Sequence, residues 1–104
     1  MKIDFKKQLL DANFEPAYYD DKKAEKVMAH DILRRHLMNK LKASSSDADK
    51  FFDWAIDLKK GIVDLDKNSQ ADLIKFISDP DTFMTVGQKG QLKKIISDAK
   101  PDKN

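Results

Sequence analysis

The stretch SDADKFFDWAIDLKKGIVDL, residues 46–65, decides the fold. Up to Lys60 it reads as a helix, because Phe51, Trp54, Ala55 and Leu58 recur at spacings of three and four, with Ile56 beside them. Ser46 followed three residues later by Asp49 is a variant capping box, so the helix is expected over 47–60. Gly61 ends it in the position after the C-cap, where the chain turns left-handed and glycine has no Cβ to strain. Ile62-Val63-Asp64-Leu65 is short and β-branched and reads as a strand that pairs with an extended N-terminal segment. As the most aromatic element, the helix is expected at the centre of the core.

Working outward, the upstream segment carries Val27, Leu33, Leu37 and Leu41 in one stripe, widened by Met28, Ile32 and Met38. This predicts a helix over 21–42, capped by Asp20 or Asp21 and broken by Ser44-Ser45-Ser46. Downstream, Asn68 or Ser69 is expected to cap a helix over 69–78 with Leu73, Ile74, Phe76 and Ile77 as its apolar face. Asp79-Pro80-Asp81 breaks the chain, and a last helix, starting near 83 or 88, runs to 98 with Leu92, Ile95, Ile96 and Ala99 at helical spacing. At the other end, Ile3 and Phe5 alternate with Lys2, Asp4 and Lys6 as in a strand. Phe14-Glu15-Pro16-Ala17-Tyr18-Tyr19 reads as extended, since the residue before proline is pushed out of the α region. The expected architecture is α+β and mainly α: an extended N-terminal arm or small β-hairpin packed on about four helices. Residues 1–99 are expected to form one domain and residues 100–104 a flexible polar tail.

The charge is sorted along the chain. The total of +2 over 104 residues hides an acidic middle. Residues 23–43 sum to about +4, 44–81 to about −4 and 82–104 to about +3, with the first 22 near −1. Hydrophobic residues are 40% and charged ones 37%, polar for a globular chain, while six Phe, two Tyr and one Trp argue for a packed core. Without cysteine the chain has no disulfide, thiolate metal site or cysteine nucleophile. No apolar run approaches the roughly 20 residues of a membrane span. The opening residues lack the apolar region of a signal peptide. A cytoplasmic protein with no membrane partner is the expectation.

Catalytic chemistry finds little support. His30 and His36 are the only histidines, and they sit six positions apart, about 600° around a helix, so they do not share a face as zinc ligands would. The serines Ser44, Ser45, Ser46, Ser69, Ser78 and Ser97 sit at helix ends or in loops, outside any Gly-x-Ser-x-Gly turn. Asp64 and Asp66 could serve as an acid/base pair, but carboxylates are too abundant here for that pairing to be specific. No Walker loop or dinucleotide fingerprint is present. No enzyme activity, metal or cofactor is expected.

Binding is the better-supported class. Tyr18 and Tyr19 in the arm and Arg34 and Arg35 on the first helix are candidate contacts for a protein partner, which could be a second copy of the chain, together with the acidic middle. The alternative is a nucleic-acid-binding regulator. It would use one basic face formed by Arg34, Arg35 and Lys42 with His30 and Met38, and another formed by Lys89, Lys93, Lys94 and Lys100. Gly87-Gln88-Lys89-Gly90 resembles in part the backbone-clamping Gly-x-x-Gly loop of KH domains, but departs from it with Lys93 where those domains carry an apolar residue.

The order of features also resembles a group of short uncharacterised proteins encoded by tailed bacteriophages and prophages. The carriers are Met1-Lys2-Ile3-Asp4-Phe5, Glu15-Pro16, Val63-Asp64-Leu65 and Val86-Gly87-Gln88. Asn13-Phe14 stands where an Asp-Gly turn is the pattern, and a Thr-Leu-Gly entry to the first helix is missing. The resemblance implies an accessory or assembly role in the cytoplasm of a bacterial host, by docking on a host or virion protein. It implies no catalytic residue.

Overall fold

A computed structural model of the protein describes residues 1–99. The tail expected over 100–104, and with it Lys100, lies outside the described residues. In chain order the elements are β1 (Lys2–Asp4), α1 (Ala29–Met38), α2 (Ser45–Leu58), β2 (Ile62–Asp64), α3 (Lys67–Ser78) and α4 (Val86–Asp98). The fold is α+β and mainly α. No helix among the described residues is long and apolar enough to cross a membrane.

β1 and β2 pair antiparallel, with Lys2 opposite Asp64, Ile3 opposite Val63 and Asp4 opposite Ile62. Each three-residue strand turns only its middle side chain inward, so Ile3 and Val63 seal against the core while the flanking residues face water. Phe5 follows immediately and is wholly buried. Its N–H donates to the Gly61 carbonyl at 2.7 Å, and Gly61 holds φ +88°. The turn that links α2 to β2 is thus sealed by the start of the chain, as the pairing of Ile62–Leu65 with the N-terminal segment predicts.

The first helix is much shorter than its apolar stripe suggests. Residues 21–28 are not helical but belong to the arm, in which three extended passes lace together. Leu9 N–H donates to Val27 O, Val27 N–H to Ala17 O and Ala17 N–H to Leu9 O. Asp20 does act as a cap, but of a turn: its carboxylate accepts from the N–H groups of Ala24 and Glu25 at 3.0 and 3.2 Å, with Lys23 at φ +56°. α1 then starts at Ala29 without a side-chain cap. Its first N–H groups are satisfied by the arm instead, Ala29 donating to Lys7 O at 2.8 Å and His30 to Phe5 O at 3.0 Å. The helix ends at Met38, four residues short of the expected 42, where Asn39 turns its side-chain amide back onto the Arg35 carbonyl at 2.7 Å. Leu41 consequently lies beyond the helix and is 94% exposed, and Met38 is 54% exposed.

The remaining helices shift by a cap. Ser44, not Ser46, accepts from the Asp47 N–H to start α2. Asp66, upstream of both expected candidates, accepts from Ser69 N–H at 2.7 Å to start α3. Thr85 and Gln88 form a reciprocal capping box on α4, at 3.1 and 3.2 Å. That box places Gly87–Gly90 in helical backbone at the start of α4. A backbone clamp of the Gly-x-x-Gly kind would need those residues in an open loop.

The core is one cluster in which α1 packs on α2, α3 on α4, and the small sheet touches α2 and α4. Leu33, Leu58, Leu65, Leu73, Ile77 and Leu92 are buried at its centre. Trp54 is buried, and Phe51 leans between it and Phe76, edge-on to the latter at 4.9 Å. Ile56, expected inside, faces water.

Two carboxylates tie this scaffold to pH. The Ser69 backbone N–H, with the Ser69 side chain, holds the Asp66 carboxyl below its usual 3.8. The Asp81 backbone N–H, followed by Lys40, does the same to Asp79. Because both folded-state values are depressed, their stabilisation is present above about pH 4 and is lost as pH falls through the lower folded values. Urea midpoints measured from neutral pH downward should therefore drop below about pH 4. The drop should be shallower in an Asp66→Asn, Asp79→Asn double variant; an unchanged slope would show that other groups govern acid unfolding.

Candidate functional site

The feature that the core does not account for is a groove between the end of α1 and the segment linking α3 to α4. Its volume is about 470 Å³, and Arg35, His36, Leu41, Lys42 and Phe83 line it. Both walls follow from local sequence. On one side, the Asn39 stop turns the chain out of the helix and carries Leu41 into solvent. On the other, Asp79-Pro80-Asp81 makes a turn in which Asp81 N–H donates to the Asp79 carboxylate and Thr82 N–H to the Asp79 carbonyl, both at 2.9 Å. The chain then alternates: Thr82 and Met84 are buried, and Phe83 between them points outward, 86% exposed.

The two walls are pinned to each other. Lys40 Nζ donates to Asp79 Oδ2 at 3.3 Å and reaches Thr82 Oγ1 at 3.5 Å, while lying 5.8 Å from the Phe76 ring centroid. His36 has its Nδ1 2.8 Å from Ile32 O and its Nε2 3.3 Å from Phe83 O, so a ring protonated on both nitrogens makes both bonds. Lys89 Nζ donates to Asp79 O at 2.8 Å from α4. The buried Thr82 hydroxyl donates to Phe76 O at 2.8 Å and anchors the outer wall. Thr82→Val keeps the shape but removes that bond. It should cost about 1 kcal/mol in urea unfolding, and an unchanged midpoint would show that the hydroxyl contributes nothing.

The candidate residues divide between this groove and other surroundings. Arg35 lies on its rim and stacks over Tyr19, with Cζ 5.6 Å from the ring centroid and Nη1 3.5 Å from the hydroxyl. Tyr19 and Arg35 are thus brought together. Tyr18 is apart from them, half-buried with the Lys23 ammonium 6.0 Å from its ring centroid. Arg34 turns to Asp31 in an ion pair of 3.1 Å. Of the other candidate cations, Lys89 is engaged with the Asp79 carbonyl, Lys93 is half-buried, and Lys94 meets Asp98 at 3.6 Å. Arg35 and Lys42 pair with no acidic side chain among the described residues, which leaves the groove rim cationic. Asp81 is the acidic group in its lining.

Other polar groups have structural surroundings. His30 has its Nε2 3.6 Å from Asp31 and its Nδ1 buried without a hydrogen-bond partner among the described residues. Asp64 and Asp66 separate, the first on the solvent side of β2 and the second on the cap of α3. Among the described residues no three His, Asp or Glu side chains gather as a metal-ligand set. The groove offers an apolar slot lined by Leu41 and Phe83 with the cations Arg35 and Lys42 beside it.

Leu41 and Phe83 were not among the sequence-derived site candidates, yet signals for both exist. Asn39 is a helix stop that puts Leu41 past the helix end. Phe83 lies between a proline turn and the Thr85–Gln88 capping box, so it belongs to an extended linker, where a lone aromatic has no helical face to join. No family model, curated protein or solved structure matches this chain.

Proposed function

We propose that this protein is a non-enzymatic binding module that docks a protein partner in the groove between α1 and the 79–85 segment. A single observation carries this reading: Leu41 and Phe83, 94% and 86% exposed, face one groove held open by Lys40 and His36. Large apolar side chains fixed in water at a rimmed concavity are the usual mark of a protein contact. Arg35 and Lys42 select a partner that carries a carboxylate beside its apolar anchor. Tyr19, stacked on Arg35, extends the contact toward the arm.

The resemblance to short phage and prophage proteins adds a setting, an accessory or assembly protein working in the host cytoplasm. Flanking genes test that setting: head or tail assembly genes support it, and a host metabolic operon overturns it. The docking role is tested with a captured partner that is identified, purified and rebound. The Leu41→Ser, Phe83→Ser double variant should keep its circular dichroism and weaken binding by roughly tenfold or more. Binding that survives both substitutions overturns the groove as the docking site.

A further inference from the structure

The complement of this groove is present elsewhere on the same molecule. The outer face of α2, opposite the buried Trp54, Ala55 and Leu58, exposes Phe52 at 53% and Ile56 at 54%. Four residues apart, these two form one apolar ridge on the helix surface. Asp49, Asp53 and Asp57 border the ridge, and none of them pairs with a basic side chain among the described residues. A solvent-facing helix in so polar a chain has no packing reason to carry Phe and Ile outward between unpaired carboxylates.

The two surfaces match in chemistry. The groove is an apolar slot with free cations on its rim and one acid, Asp81, in its lining. The helix is an apolar ridge bordered by the free carboxylates Asp49, Asp53 and Asp57, with two exposed cations, Lys59 and Lys60, just past its end. We infer that the groove's partner is the outer face of α2 on a second copy of this chain, with Phe52 and Ile56 entering between Leu41 and Phe83 and with Asp53 and Asp57 meeting Arg35 and Lys42. The inference rests on the groove being a docking site and specifies what docks there.

Donor and acceptor are different patches, so the contact is heterologous. Each copy that accepts a helix still offers its own α2, and each copy that donates one still offers its groove. The product is a closed ring, whose smallest form is a two-fold dimer with each α2 in the other copy's groove, or an open chain. One helix face in one groove falls in the small, transient class of interface, below about 1,200 Å² in total, so assembly is weak and depends on concentration. Charged pairs on an exposed rim also make it weaken with added salt.

Sedimentation equilibrium from micromolar to millimolar protein tests this. The average mass of the wild-type chain should rise above 11.9 kDa with concentration and fall back with salt. A groove variant, Leu41→Ser with Phe83→Ser, and a helix variant, Phe52→Ser with Ile56→Ser, change only exposed positions and should stay folded and monomeric. Mixed together they restore one contact, the intact α2 of the first in the intact groove of the second, and should form a dimer that grows no further. A monomeric wild type, assembly that survives either pair of substitutions, or a mixture that stays monomeric overturns the inference. If the wild type is monomeric while a purified foreign partner still loses affinity for the groove variant, self-docking fails and the docking groove stands. If that partner too is insensitive, both fail.

Discussion

Leu33→Ala is expected to lower the unfolding free energy by about 2–5 kcal/mol, whereas Leu41→Ala, two turns further along the same apparent stripe, should change it by less than about 0.5 kcal/mol. Both leucines fall on the repeat that marks the first helix, and pattern alone gives them equal standing. Leu33 is fully buried against the core, so truncating it loses transfer energy and leaves a cavity. Leu41 lies past the Asn39 stop with 94% of its surface in water, so nothing is uncovered when it is cut back. For a chain of this size the Leu33 loss corresponds to a fall in melting temperature of roughly 10–30 °C. Thermal and urea unfolding of the two variants side by side measure the difference. Equal losses would mean that α1 continues through residue 41 and that the groove described here does not exist.

Gly61→Ala should destabilise by about 2–3 kcal/mol, from two separable causes. At φ +88° any L side chain is strained, which accounts for about 1–2 kcal/mol. A Cβ at this position would also overlap the Lys6 side chain, at the point where Phe5 N–H meets the Gly61 carbonyl. The exposed Lys6 side chain must take another rotamer to clear it. Combining Gly61→Ala with Lys6→Ala removes the overlap and should recover the part of the loss that is not backbone strain, leaving about 1–2 kcal/mol. No recovery in the double variant would assign the whole cost to the backbone. A neutral Gly61→Ala would show that the turn between α2 and β2 can adopt another shape.

The ease of reading each element tracked the range of the interactions behind it. α2, its glycine stop and β2 were legible because each is set within its own neighbourhood: apolar spacing, a left-handed turn, a β-branched run. The start of α1 was not, because residues 26–28 are kept extended by backbone bonds of Val27 to Leu9 and Ala17, and the Ala29 N–H is taken by Lys7, partners that no local window contains. Phe14 shows the same limit on a smaller scale. It occupies φ +60° at the tip of the arm, the conformation an Asp-Gly turn would hand to glycine, and its ring is 83% exposed. The site candidates sorted by the same rule. Arg35 and Tyr19 stack on each other, while Arg34, Lys89 and Lys94, read as one kind of surface charge, found separate partners once the chain was folded.

By itself the amino-acid order determined the α+β class, the number of helices and their sequence, the stops at Gly61 and Asp79-Pro80-Asp81, and the alternation of charge. Those follow from dihedral preference and the period of apolar side chains, which act over a few residues. Only the tertiary structure decided where α1 begins, which leucines of one stripe meet water, and that Leu41 and Phe83, 42 positions apart, share a groove. These depend on Lys40 reaching Asp79 and His36 reaching the Phe83 carbonyl, contacts that exist only after the core has brought distant segments together.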